Sequence, residues 1–320
     1  MIEQFLTHIE SELRYSPLTV RNYRRDITLF DAWRQNYVAN HIAEAQANGK
    51  ACDDRYEIEH TKSEDIHQWI IDRSKSGKVS PASINRELSS LRSFFGYLRK
   101  HKITSEDIFA HIGTLKRPKR LPAAIPQTRI TQVLEQCAEK ASSLDFEQVR
   151  DAVVVMMFYK CGLRLAELIG INISDISAEL DSVKIRGKGD KERIVPIVGS
   201  VRTVLQNYFE VIKGQNICKN GEKALILTVE GCRISRMKVY RLVRSALSEA
   251  QIQGKKSPHI LRHTFATQLM NAGADMRDIQ ELMGHASLRS TQVYTHNSIQ
   301  QLQAVYAKAH PRQSKLKIEN

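Results

Sequence analysis

The chain has 320 residues, of which 42% are hydrophobic and 26% charged, a composition that excludes a disordered tail or a fibre and predicts two domains at about 150 residues each. Its longest apolar run, Ala152 to Tyr159, is far short of the ~20 residues of a bilayer span. The N-terminus, which carries Glu3 and Glu10, lacks the basic start and apolar core of a secretion signal, so a cytoplasmic protein with no membrane partner is expected. Forty-eight Lys and Arg against 35 Asp and Glu give a net charge of +13, which points to a polyanionic partner.

In chain order, Ile2, Phe5, Leu6, Ile9 and Leu13 form a first helical stripe. Ser16-Pro17 reads as a cap and first-turn proline for a second helix from Leu18 to about Tyr37, with Val20, Tyr23, Ile27, Phe30 and Trp33 inward. Residues 39–61 allow two readings: continuation of that helix through Ala43 to Ala47, or a surface excursion marked by Gly49 and the mixed charges from Asp53 to His60. Residues 64–73 and 81–101 give two more helices. Pro118, Pro122 and Pro126 then exclude a continuous helix. They define a linker, 117–126, between a helical domain, 1–116, and a second domain, 127–320. Arg117, Lys119 and Arg120 of the linker either solvate an extended segment or track a phosphate backbone.

The second domain begins with helices from Thr128 to about Ala138 and from Phe146 to Tyr159, a break at Cys161-Gly162, and a short helix from Leu165 to Ile169. The period then changes. Ser182–Arg186 and Arg193–Ile197 alternate around Gly187-Lys-Gly-Asp190, the pattern of a β-hairpin, and Ala224 to Thr228 suggests a short third strand. Helical spacing returns at 235–250, 262–272, 275–283 and 288–309. The fold class is mainly α with a small antiparallel β-sheet in the C-terminal domain. The charge is uneven: residues 1–116 hold 17 basic and 16 acidic side chains, residues 127–320 hold 28 and 19. Five cysteines, an odd number with no C-x-x-C pair, suggest neither disulfides nor a thiolate metal site.

Arg164, Lys188, His259, Arg262, His285 and Tyr294 all fall at loops or helix ends. Singly, each has an ordinary structural explanation. Together they form a cationic set with a hydroxyl nucleophile and no partnered carboxylate, which suits stabilisation of a phosphate whose charge grows in a pentacoordinate transition state. Two arginines can hold both non-bridging oxygens. A tyrosine can attack where a cationic field activates it, and lysine and histidines can move protons. His259 and His263 are spaced i, i+4 without a third ligand in view, and there is no H-E-x-x-H and no phosphate loop before a helix. No metal and no cofactor are expected.

These residues resemble the tyrosine recombinases, the Xer-type and their mobile-element relatives in particular. The resemblance lies in Cys161-Gly-Leu-Arg-Leu-Ala-Glu-Leu168, Gly187-Lys-Gly-Asp-Lys-Glu-Arg-Ile-Val-Pro196, His259-Ile-Leu-Arg-His-Thr-Phe-Ala-Thr267, Leu282-Met-Gly-His285 and Thr291-Gln-Val-Tyr-Thr-His296, with Tyr23-Arg-Arg-Asp26 in the helical domain. It implies a two-domain DNA clamp, with a SAM-like core-binding domain at 1–116 and the catalytic domain at 127–320. By position, Arg164 and Arg262 bind the scissile phosphate, His259 and His285 assist, Lys188 is the general acid and Tyr294 the nucleophile of a 3′-phosphotyrosyl link. Arg24 and Arg25, with Arg117, Lys119 and Arg120, are the expected DNA contacts. The implied partners are double-stranded DNA with inverted half-sites and a homo- or hetero-tetramer on two sites, exchanging strands through a Holliday junction, with the helix at 298–309 docking on a neighbouring protomer. The one departure from the resemblance is the stretch from Trp33 to Asp65, which is longer than the connection expected in compact Xer-type proteins. An integrase of a transposon or phage, or a non-catalytic DNA-binding regulator, are the alternative readings.

Overall fold

The computed structural model describes residues 1–48, 56–77, 79–116, 124–187, 191–218 and 221–284. The chain divides into two compact units, Met1–Arg120 and Leu121–Asn320.

In the first unit, helix α1 spans Ile2–Ser11 and α2 Pro17–Ala47, a 3-10 turn covers Ile58–His60, and α3 (Ser63–Lys75) and α4 (Pro81–Lys100) complete it. The starts follow their caps. Ser16 Oγ accepts the Thr19 N–H at 3.2 Å ahead of Pro17, and Ser80 Oγ accepts the Ser83 N–H at 3.2 Å ahead of Pro81, so an orphan first-turn donor is satisfied in each. Phe5, Ile27, Phe30, Ile66, Trp69, Leu91, Phe94 and Leu98 are buried in one core, where Phe30 meets Trp69 edge to face at 5.6 Å.

Of the two readings of residues 39–61, the helix continues through Ala47. No breaker intervenes before Gly49, and alanines favour the helix. Arg34, itself buried, then donates to the carbonyls of Tyr56 and Glu57 at 2.7 and 3.0 Å, fastening the chain as it returns to α3.

The second unit contains α5 (Gln127–Ala141), α6 (Phe146–Lys160), α7 (Leu165–Gly170), a 3-10 turn at Ile173–Asp175, strands β1 (Ser182–Arg186) and β2 (Glu192–Pro196), then α8 (Gly199–Gly214), α9 (Arg236–Glu249), α10 (Pro258–Asn271) and α11 (Met276–Leu282). Helix α6 is its axis. Every residue from Ala152 to Lys160 is buried, as a helix apolar all round must be, and α5, α8, α9 and α10 pack against it. The strands pair antiparallel with Val183 opposite Val195 and Ile185 opposite Arg193. Gly187 closes the pair with its N–H on the Lys191 carbonyl at 2.8 Å.

Two expectations change and one helix is new. Residues 224–228 do not form a third strand; they make the isolated bridges Asn172 to Ala224 and Leu227 to Arg233, because this buried apolar run turns back too soon to pair along its length. Helix α8 is an addition, although Val201, Val204, Leu205, Tyr208, Val211 and Ile212 bury one face at helical spacing. Helix α10 starts at Pro258 rather than 262, since proline fits the first helical position. The linker cations Arg117, Lys119 and Arg120 and the segment 288–309 lie outside the described residues. Among the described residues, no helix is long and apolar enough to cross a membrane.

Candidate active site

The break between α6 and α7 sets the first arginine. Gly162 adopts φ +60°, and a Cβ there would stand 2.5 Å from ring carbons of Phe265. Only glycine permits both the left-handed turn and that approach. Leu163 is then fully buried, and Arg164 becomes the N-cap of α7. The backbone N–H of Arg164 donates to Glu167 Oε2 at 2.8 Å, half of a capping box, and its side chain donates to Glu167 Oε1 at 2.7 Å.

The second arginine comes from α10. One turn into that helix His259 is exposed and Arg262 is buried. Arg262 Nη1 donates to the Gly162 carbonyl and Nη2 to the Met283 carbonyl, while Nη1 lies 3.6 Å from Glu167 Oε2. Burial, reinforced by Arg164, brings the Arg262 guanidinium down to about 10, which leaves it charged at neutral pH.

A third arginine completes the cluster. Arg193 of β2 sends Nη1 and Nη2 to the two oxygens of Glu167 at 3.0 and 2.8 Å and Nε to the Leu282 carbonyl at 2.9 Å. Arg164 Nη2 donates to the Gly284 carbonyl at 2.8 Å. Burial alone would raise the Glu167 carboxyl, but the hydrogen bonds and charge of Arg193, with Arg164, overcome it and hold it at about 2. Arginines from α7, β2 and α10 thus meet on one ionised carboxylate with a surplus of positive charge, and the same arginines hold the carbonyls at the end of α11. Such a site suits an anion with oxygens to share between guanidinium forks.

The Phage integrase family matches residues 124–301, and the N-terminal SAM-like domain of phage integrases matches 2–51 and 50–102. Tyrosine recombinase XerD of Oceanobacillus iheyensis is 35% identical over 97% of this chain and 98% of its own length. Tyrosine recombinase XerC of Alcanivorax borkumensis is 33% identical over 99% and 95%. The chain belongs to the tyrosine recombinase family. It is a Xer-like site-specific recombinase, and its mainly helical fold recurs in solved relatives. XerH site-specific recombinase bound to difH substrate, in a pre-cleavage complex, aligns with TM-score 0.64 at 19% identity over 100% of this chain and 85% of that one. The Tn1549 transposon integrase in complex with transposon right end DNA aligns with TM-score 0.63 at 20% identity over 95% and 98%.

Of the recombinase residues singled out in the sequence, Arg164 and Arg262 are brought together and His259 lies one turn from Arg262. Lys188, His285 and Tyr294 lie outside the described residues. Their neighbours are placed: Gly187 and Lys191 close the hairpin, and Gly284 sits against the arginines. In the helical unit Arg24 forms a two-pronged pair with exposed Glu3, and Arg25, largely exposed, lies 3.3 Å from buried Asp26.

The expectation of cations without a partnered carboxylate is corrected by Glu167, and Arg193 was not foreseen at all. Both carried a signal. Glu167 stands three residues after Arg164 at a helix start, the spacing of a capping box. Arg193 shares a strand face with Val195, which is 1% exposed, and an arginine on the core side of a strand requires a buried acceptor.

Proposed function

We propose that the chain cleaves and rejoins DNA strands by transesterification: Tyr294 attacks a phosphodiester to form a 3′-phosphotyrosyl bond, and the displaced 5′-oxygen takes a proton from Lys188 and leaves as a hydroxyl. The observation that carries this reading is the convergence of Arg164 and Arg262 on Glu167 and on the Met283 and Gly284 carbonyls, immediately before His285. Arg164 and Arg262 would bind the non-bridging oxygens while His259 and His285 assist. The phosphotyrosyl ester conserves the bond for religation by the incoming 5′-hydroxyl, so the reaction needs no energy source and no cofactor.

The substrate is double-stranded DNA with inverted half-sites. Residues 1–116 and 127–320, joined by 117–126, would grip it, and four protomers would bring two sites together through a Holliday junction, the helix at 298–309 docking on a neighbour. Resolution of chromosome or plasmid dimers is favoured over mobile-element integration because the relatives at 33–35% identity are XerC and XerD proteins. Arg25 and the linker cations Arg117, Lys119 and Arg120 would contact phosphates, and Arg24 would do so by exchanging Glu3 for the backbone.

The test begins with duplexes selected from a random pool for binding, each then nicked so that cleavage traps the enzyme. A denaturant-resistant adduct mapping to Tyr294, lost in Tyr294→Phe while binding persists, is expected. No adduct, or an adduct that survives Tyr294→Phe, refutes the assignment.

A further inference from the structure

At the end of a helix the last carbonyls have no intrahelical donor. At the end of α11 three consecutive carbonyls are each taken by a different arginine: Leu282 by Arg193 Nε at 2.9 Å, Met283 by Arg262 Nη2, and Gly284 by Arg164 Nη2 at 2.8 Å. The same three side chains meet at Glu167. Two of them have an assigned task; Arg193 has none. Its side chain is 8% exposed, and each of its three guanidinium nitrogens already donates within the protein. Among the described residues, Arg164 and Arg262 donate from their Nη atoms alone, whereas Arg193 also commits Nε, so of the three it is the one placed to hold rather than to touch a phosphate.

What Arg193 joins is specific. It sits in β2, five residues after Lys188 and opposite Ile185 in β1, so its fork ties the hairpin to α7 through Glu167. Its Nε ties the same strand to the chain just before His285. The fit is close: Gly284 has φ +63°, and a Cβ there would come 3.0 Å from Arg193 Nη1 and 3.3 Å from Arg164 Nη1. A lysine could offer charge but not three donors in fixed directions.

We propose that Arg193 is a positioning residue for strand cleavage, locking the hairpin that bears Lys188 and the segment that leads to His285 onto the carboxylate that orients Arg164 and Arg262. This rests on the function proposed above, and it adds a residue that acts through others rather than on the substrate.

The charged groups facing Glu167 among the described residues are Arg164 at the start of α7, Arg193 on β2 and Arg262 on α10. Full-length Arg193→Met and Arg193→Lys would be compared with the native chain by three readouts: carbon NMR titration of the Glu167 carboxyl, amide exchange of residues 276–284, and single-turnover cleavage of the trapped duplex at saturating protein across pH. Arg193→Met should slow cleavage by roughly 10- to 100-fold with DNA affinity changed less than about threefold. It should also raise the Glu167 titration, add a loss of cleavage towards acid pH that the native enzyme lacks, and speed exchange at 282–284. Arg193→Lys should keep the carboxyl low, lose exchange protection and cleave at an intermediate rate.

Native cleavage by Arg193→Met, or slowed cleavage with titration and exchange unchanged, overturns the proposal. Where Arg193→Met does not fold, Arg193→Lys decides: unchanged exchange with native cleavage refutes it. A native chain that forms no adduct instead sinks the proposed function, while titration and exchange still decide whether Arg193 holds these elements together.

Discussion

Replacing Glu167 by Gln keeps its shape and removes its charge, leaving three guanidiniums around a neutral amide. The size of the effect follows from the site. Glu167 is 4% exposed at its side chain, so solvent screens it little, and its carboxyl is moved from an ordinary 4.5 to about 2. At 1.36 kcal/mol per pKa step, that favours the ionised folded form by roughly 3 kcal/mol. Because the folded value is depressed, this stability is present above pH 4.5 and is lost as pH falls towards 2. Glu167→Gln should therefore unfold about 3 kcal/mol more easily at neutral pH, and the gap from the native chain should stay level down to about pH 5 and close below it. Urea unfolding can be followed by two signals. Both tryptophans, Trp33 and Trp69, lie in the first unit, so fluorescence reports that unit while far-ultraviolet dichroism reports both. The substitution should shift the dichroism transition of the second unit and leave the fluorescence transition in place. A change below about 0.5 kcal/mol at neutral pH, or a gap that already closes between pH 7 and 5, refutes the reasoning.

Arg164→Ala and Arg262→Ala should each slow single-turnover cleavage by about 3 kcal/mol of lost transition-state stabilisation. Only Arg262→Ala should also lower the unfolding midpoint strongly, because its guanidinium is buried against the Gly162 and Met283 carbonyls, whereas the Arg164 side chain is 36% exposed. Gly162→Ala should destabilise the second unit by about 2 kcal/mol or more in the same unfolding assay, since the positive φ and the Phe265 ring both oppose a Cβ; native stability would show that this turn is not held. Iodoacetamide at mildly alkaline pH should modify Cys218 and Cys232, which are exposed, before Cys137 and Cys161. Burial pushes the latter thiols up to about 12, and peptide mass mapping reads the order.

Most helices were legible because local signals agreed with the packing. The Ser-Pro starts of α2 and α4 and the apolar stripe of α4 point to one answer at every level. The exceptions have physical causes. The length of α2 turned on whether polar, alanine-rich residues after Tyr37 continue a helix, and no hydrophobic face decides that. Residues 224–227 are buried and apolar, as a strand would be, but apolar runs do not reveal whether a partner edge is present. The α8 stripe, by contrast, was plain in the sequence and simply follows the hairpin at regular spacing.

Arg164 and Arg262 were legible as a phosphate-binding pair, but Arg193 and the carboxylate all three share were not. Sequence spacing identifies residues that could handle a phosphate, but it cannot show that Arg193, opposite Ile185 on a strand, reaches back to Glu167 on another element. The tertiary pairing changes the electrostatic argument. Three arginines against one carboxylate leave a local surplus of two positive charges. A phosphodiester carries one negative charge at rest and gains a second as the nucleophile adds. On the proposed reaction the surplus therefore matches the pentacoordinate state rather than the bound substrate, the condition for raising the rate of chemistry and not only affinity. The same carboxylate keeps three like charges together by offsetting their repulsion. Glu167 and Arg193 thus supply a preorganised field, and a cluster of arginines alone would have to be ordered by the substrate at a cost to the barrier.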